Sequence, residues 1–126
     1  AEKDFGALSQ GQRQIVILAR CIVQDSPVML MDEPDSALDF LNRHMVLSKI
    51  RELIKEENKA GLITLHDPNF AMAYCDRLLL LKEGRLVGAL DMRRAKADEV
   101  KKKLSLIYGD IELLQSGDSF LMGKAL

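Results

Sequence analysis

Length, composition and charge already narrow the class of protein. Of the 126 residues, 48% are hydrophobic and 29% are charged, so the chain can bury a core and is not a disordered tail. The near balance of 18 basic and 19 acidic residues argues against a nucleic-acid partner. Two cysteines argue against a disulfide scaffold. Length alone predicts one complete, soluble domain.

Apolar spacing predicts the elements of the first half of the chain. Residues 13–24 are apolar on nearly every side, which predicts a deeply buried helix. The unbroken apolar run at residues 28–31 predicts a strand buried on both faces, as in a parallel sheet. Residues 38–60 predict an amphipathic helix, with Gly61 as the residue at its C-terminal end.

The second half carries the local patterns of further strands, helices and turns. These are a strand over residues 61–65, a helix over 68–74, a hairpin over 77–90 around a Glu-Gly turn, an amphipathic helix over 95–108 and a hairpin over 110–122. Strands that alternate with helices predict an α/β fold with parallel strands, packed helices and a C-terminal hairpin.

Polar residues follow both predicted parallel strands. Asp32 and Glu33 come directly after the first strand, and His66 ends the second. In open α/β sheets, ligands bind at the carboxyl ends of the strands. Two such carboxylates suit a hydrated Mg²⁺, with Asp32 holding the ion and Glu33 orienting or deprotonating a water. Taken singly, these residues also fit a polar loop and a histidine at a helix entry.

A second polar segment precedes the predicted buried helix. Free backbone N–H groups at a helix start attract anions, Ser9 can join them, and Gly11 allows a phosphate to approach the backbone closely. A simple helix N-cap is the alternative interpretation of this segment.

Four segments in the order LSQGQRQ, VMLMDEPD, SALD and TLHD together resemble the ATPase subunit of ABC transporters. The resemblance extends over residues 8–90 and implies the P-loop NTPase fold of that family, here incomplete. It also implies ATP and Mg²⁺ as cofactors. By this resemblance Asp32 holds Mg²⁺, Glu33 is the catalytic glutamate and His66 contacts the γ-phosphate.

The same resemblance implies a site shared with a second subunit. Two ATPase domains of this family pair head to tail, so that each ATP lies between the P-loop of one and the signature of the other. The signature residues Ser9, Gln10, Gly11 and Gln12 would contact the ATP that the partner holds. Asp39 belongs to the D-loop and would communicate across the interface.

The chain departs from the family pattern in three places. Gln10 replaces a usual glycine, and Asp35 stands where Thr or Ser is usual, with no chemistry assigned to it. No G-x-x-x-x-G-K-[ST] run, which would hold the phosphates, occurs in the 126 residues. We therefore expect a C-terminal fragment that is inactive alone, with residues 1–92 as the signature-to-histidine portion and 93–126 as a helix and hairpin of the same domain.

The segments after the D-loop are most similar to the subunits that energise import of iron–siderophores, haem or cobalamin. This implies a homodimer bound to permease subunits on the cytoplasmic face of the membrane, served indirectly by a substrate-binding protein. A stand-alone interaction module without a P-loop and a DNA-repair or chromosome-maintenance ATPase are the alternatives. Because truncation would leave apolar surfaces uncovered, we expect the fragment to self-associate.

Overall fold

The computed structural model describes residues 26–125. The predicted buried helix over residues 13–24 and the signature residues Ser9, Gln10, Gly11 and Gln12 lie outside this range. The chain divides into two compact units, residues 1–66 and residues 67–126. The boundary expected at residue 92 within a single domain stays a prediction.

The first unit contains a parallel strand pair. Strand β1 (Val28–Asp32) pairs with β2 (Ala60–Thr64), and the register places Val28 beside Ala60 and Asp32 beside Thr64. Helix α1 (Phe40–Glu56) connects the two strands. The predicted order of strand, helix and parallel strand is therefore confirmed, and both strands end at the same edge of the sheet.

Helix α1 begins two residues later and ends four residues earlier than the predicted range of 38–60. The carboxylate of Asp39 accepts a hydrogen bond from the backbone N–H of Asn42 at 2.8 Å, which caps the helix. After the helix, Asn58 adopts a φ of +51°, a left-handed conformation that asparagine tolerates. Gly61 lies inside β2, where an added Cβ would be 2.5 Å from Cδ1 of Ile54. The prediction of Gly61 as the helix-terminal residue is therefore wrong.

Strand β1 is buried on one face only. Met29 is buried, whereas Val28 and Leu30 are 50% and 75% exposed. Among the described residues, β1 and β2 form a two-stranded sheet, and alternate side chains of a strand point to opposite faces. The prediction of burial on both faces is therefore wrong, because the face that carries Val28 and Leu30 has no covering layer in the described part of the chain.

The second unit combines two hairpins with two helices, and all four predicted elements are confirmed. Strands β3 (Arg77–Lys82) and β4 (Arg85–Asp91) form one antiparallel hairpin, and β5 (Ile111–Ser116) and β6 (Ser119–Lys124) form the other. The helices are α2 (Pro68–Tyr74) and α3 (Ala97–Tyr108). Their shared core consists of Met72, Leu78, Leu80, Leu90, Val100, Leu104 and Ile111. Within residues 26–125, no helix is both long and apolar enough to cross a bilayer.

Candidate active site

The carboxyl ends of β1 and β2 bring the first pair of polar side chains together. Because Asp32 and Thr64 are register partners, their side chains can meet across the two strands. The hydroxyl of Thr64 donates a hydrogen bond to Oδ1 of Asp32 at 2.6 Å. Sequence reasoning missed Thr64, although its position two residues before His66 at a strand end was a usable signal.

Glu33 leaves the strand in an unusual backbone conformation. Its φ is +46°, in the left-handed region that a non-glycine residue adopts at a cost of about 1–3 kcal/mol. Its N–H donates to the hydroxyl of Thr64 at 2.9 Å and to the carbonyl of Thr64 at 3.2 Å. Its carbonyl accepts from the N–H of Ser36 at 3.0 Å. The surrounding hydrogen bonds therefore hold Glu33 in this conformation.

The side chain of Glu33 meets the predicted histidine. Oε1 of Glu33 is in direct contact with Nε2 of His66. The histidine side chain is 85% exposed and the glutamate side chain 36% exposed. A pair this exposed contributes little to stability.

A shallow cleft of about 170 Å³ adjoins this contact. Its walls come from the end of β1, the loop of residues 33–39, the first turn of α1 and the end of β2. The residues that line it are Glu33, Asp35, Ser36, Ala37, Leu38, Arg43 and His66. Glu33 and His66 therefore face a common space.

An ion pair supports the loop of residues 33–39. The side chain of Asp35 is only 5% exposed, and both Nε and Nη2 of Arg43 lie 3.0 Å from its Oδ2. Arg43 lies one turn into α1, so the pair ties the loop to the helix. Asp35, to which the sequence assigned no chemistry, is therefore a structural anchor beside the candidate site.

Asp39 is the remaining predicted site residue within residues 26–125. Asp39 does not line the cleft, and its carboxylate caps α1. Its expected role at a subunit interface stays a prediction. Ser9, Gln10, Gly11 and Gln12 are outside the described residues, so their expected contacts with a partner's ATP stay predictions as well.

The residues at the strand ends fit a magnesium ion that is held mainly by other ligands. One oxygen of Asp32 accepts from Thr64, and the other has no hydrogen-bond partner within residues 26–125. In that range no group of three or more His, Cys, Asp or Glu could enclose a metal. Mg²⁺ typically takes one or two carboxylates and completes its shell with phosphate oxygens and water. A single carboxylate oxygen at Asp32 meets that requirement.

Comparison with known proteins identifies the family. A family model described as ABC transporter matches residues 1–36. The hemin import ATP-binding protein HmuV of Vibrio parahaemolyticus is 44% identical over 92 residues, which cover 69% of this chain and 35% of that protein. The cobalamin import ATP-binding protein BtuD of Halobacterium salinarum is 40% identical over 86 residues, which cover 68% of this chain and 22% of that protein. The chain belongs to the ABC transporter ATPase family.

A solved structure matches a larger share of the chain than the two curated relatives do. An inward-facing metal-chelate type ABC transporter matches with a TM-score of 0.76 and 30% identity, over 98% of this chain and 49% of that chain. The fold predicted from the sequence, that of an ABC ATPase domain, is thereby confirmed. This ABC ATPase chain spans about half of the solved relative and 35% or less of the two curated relatives.

Proposed function

We propose that this chain supplies the hydrolytic carboxylates of an import-type ABC ATPase subunit that couples ATP hydrolysis to transport across the membrane. The observation that carries the proposal is the contact between Glu33 and His66, which lies next to Asp32 at the carboxyl edge of two parallel strands. Enzymatic phosphoryl transfer depends mainly on positioning and electrostatic stabilisation, and these three side chains provide both.

Each side chain has a distinct task in this proposal. Glu33 orients the attacking water and accepts its proton, while His66 holds the carboxylate and contacts the γ-phosphate. Asp32 holds Mg²⁺ through its carboxylate, which Thr64 orients. When bound, the ion supplies positive charge that neutralises the phosphate oxygens. The exposure of Glu33 and His66 supports this assignment, because an open pair can reach a nucleotide.

The proposal includes a second subunit. Ser9, Gln10, Gly11 and Gln12 contact the ATP held by that subunit, and Asp39 communicates across the head-to-tail interface. The assembly binds permease subunits on the cytoplasmic face of the membrane, and a substrate-binding protein delivers the cargo. Both curated relatives are import ATP-binding proteins, which supports an import complex.

We also propose that the transported class is an iron–siderophore, haem or cobalamin. The support is the similarity to a hemin import protein and a cobalamin import protein. The solved relative, described as a metal-chelate type transporter, agrees with this class. Uptake of these cargoes by cells that carry the complete transporter would separate them, and uptake of none of them would refute this part.

The 126-residue chain by itself neither binds ATP tightly nor hydrolyses it in this proposal, because it has no P-loop run. Saturable micromolar ATP binding in equilibrium dialysis would contradict this. The exposed apolar side chains of Leu30 and Leu62, 75% and 55% exposed, support self-association of the chain. A strictly monomeric species in light scattering at high concentration would contradict that part.

A chimera tests the catalytic assignment. In the chimera, the segment of HmuV that aligns with this chain is replaced by the matching segment of this chain. HmuV supplies the remainder of the ATPase. We expect Glu33→Gln to lower kcat by about 10²–10⁴-fold, as expected for loss of a general base. Glu52→Gln is the matched control, because Glu52 lies on the exposed surface of α1 and pairs with Lys49. Full hydrolysis in Glu33→Gln would refute the proposed function.

A further inference from the structure

We infer that Thr64 is a positioning residue of this site, which aligns the backbone of Glu33 and orients the carboxylate of Asp32 towards a cation. The inference rests on the proposed function and adds a residue to it. The motif pattern assigns no role to Thr64, the first residue of TLHD, and only the parallel register places its hydroxyl beside the two acidic residues.

The Thr64 hydroxyl is engaged on both sides. It donates to Oδ1 of Asp32 at 2.6 Å and accepts from the N–H of Glu33 at 2.9 Å. A threonine hydroxyl offers one donor and two acceptor positions, so both contacts can form at the same time. The hydroxyl therefore links the side chain of one acidic residue to the backbone of the next.

The contact with Glu33 bears on a strained residue. At a φ of +46°, Glu33 holds a conformation that its own backbone disfavours. Without the hydroxyl, its N–H would keep only the carbonyl of Thr64, at 3.2 Å. The residue could then relax, and its carboxylate would leave the position in which it contacts His66.

The contact with Asp32 bears on the cation. The hydroxyl donates to Oδ1 of Asp32 and thereby fixes the orientation of the carboxylate, which keeps lone pairs available for a cation. Partners that orient a metal ligand in this way typically change metal affinity by 10–100-fold when they are removed. Thr64 should therefore influence the requirement for Mg²⁺ without contacting the nucleotide.

Packing does not explain the residue. Thr64 is exposed at the end of β2, and valine has the same branched shape and suits a strand equally well. Thr64→Val therefore removes the hydroxyl while leaving the strand intact, and Thr64→Ser restores the hydroxyl. Ser105→Ala is the matched control, because it removes a hydroxyl that donates at 2.7 Å to the carbonyl of Lys101 in the second unit.

The first test uses the 126-residue chain and needs no activity. Amide hydrogen exchange of Glu33, followed by NMR, should be about fivefold faster in Thr64→Val than in the unmodified chain, as expected for loss of one hydrogen bond. It should be unchanged in Thr64→Ser and in Ser105→Ala. An unchanged rate in Thr64→Val would overturn the inference, as would an equal acceleration at the ladder amides of β1.

The second test uses the HmuV chimera. In Thr64→Val, we expect the Mg²⁺ concentration for half-maximal hydrolysis to rise about tenfold, with no change in the half-saturating ATP concentration, and Thr64→Ser to restore it. An equal rise for ATP and Mg²⁺, or no rise, would overturn the inference. The proposed function fails on a different result: a Glu33→Gln chimera that still hydrolyses ATP would refute it, whatever Thr64→Val does.

Discussion

Replacing Arg43 by methionine tests how the loop between Glu33 and Asp39 is held. The substitution removes the guanidinium whose two nitrogens lie 3.0 Å from Oδ2 of Asp35. Arginine and methionine have similar helix propensities, so α1 itself should be little affected. The Asp35 carboxylate, only 5% exposed, would remain in place without its charged partner.

The expected cost follows from the exposure of the two partners. Removing one member of a fully buried pair costs about 3–5 kcal/mol, whereas an exposed pair is worth about 0–1 kcal/mol. The Arg43 side chain is 26% exposed, so water can partly reach the carboxylate once the guanidinium is gone. We therefore expect Arg43→Met to lower the free energy of unfolding by about 2–3 kcal/mol.

Urea unfolding followed by circular dichroism measures this loss. The chain concentration is held constant, because self-association would make the apparent stability depend on it. Lys49→Met is the matched control on the same helix: its ammonium lies 3.5 Å from Glu52, and both side chains are roughly half exposed. This control should change the free energy of unfolding by less than about 0.5 kcal/mol.

A double variant completes the cycle. Asp35→Thr removes the buried carboxylate and introduces the residue type usual in the family. Combined with Arg43→Met, it should recover most of the lost stability, because no uncompensated charge remains. A loss in Arg43→Met no larger than in Lys49→Met, or strictly additive losses in the double variant, would refute the reasoning.

Three further predictions concern other positions. Gly61→Ala should lower the free energy of unfolding by about 1 kcal/mol, because the new Cβ meets Cδ1 of Ile54 at 2.5 Å. Ile54→Val removes that methyl group, so Gly61→Ala should cost less in a chain that carries Ile54→Val, and an equal cost with and without Ile54→Val would contradict this. Glu33→Asn should raise the Tm of the chain, since asparagine tolerates a positive φ better than glutamate. It should also abolish hydrolysis in the HmuV chimera, because the carboxylate is lost, and a lower Tm would contradict the first expectation. The backbone N–H of Arg93 holds the pKa of Asp91 below its ordinary value of 3.8. The ionised Asp91 therefore stabilises the folded chain above pH 3.8, and this stabilisation is lost as the pH falls through the lower pKa of the folded state. An NMR titration should give a midpoint below that of the unfolded chain, and equal midpoints would contradict the assignment.

The elements predicted most accurately are those whose signals are local. Helix α2 has its predicted bounds because Asp67 caps it and Pro68 occupies its first turn. The hairpin of β3 and β4 has its turn at Glu83-Gly84, where both residues take a positive φ. Each of these signals lies within a few residues of the feature that it predicts.

The errors involve segments that are distant in the sequence. The position of Gly61 suggested the end of a helix, but Gly61 lies in β2, where an added Cβ would meet Cδ1 of Ile54 at 2.5 Å. Leu30 belongs to an apolar run that indicates a strand, yet the run alone does not show which faces of that strand are covered. Both features depend on what packs alongside, which local periodicity does not encode.

The sequence by itself determined the family, the α/β alternation and the candidate residues Asp32, Glu33 and His66, because motifs and periodicity are read along the chain. Only the tertiary structure decided that Glu33 contacts His66, that Thr64 bridges the two acidic residues and that Arg43 neutralises a buried Asp35. The physical reason is register. The parallel alignment of β1 with β2 determines which side chains meet at the strand ends, and a shift of one residue would place different side chains there.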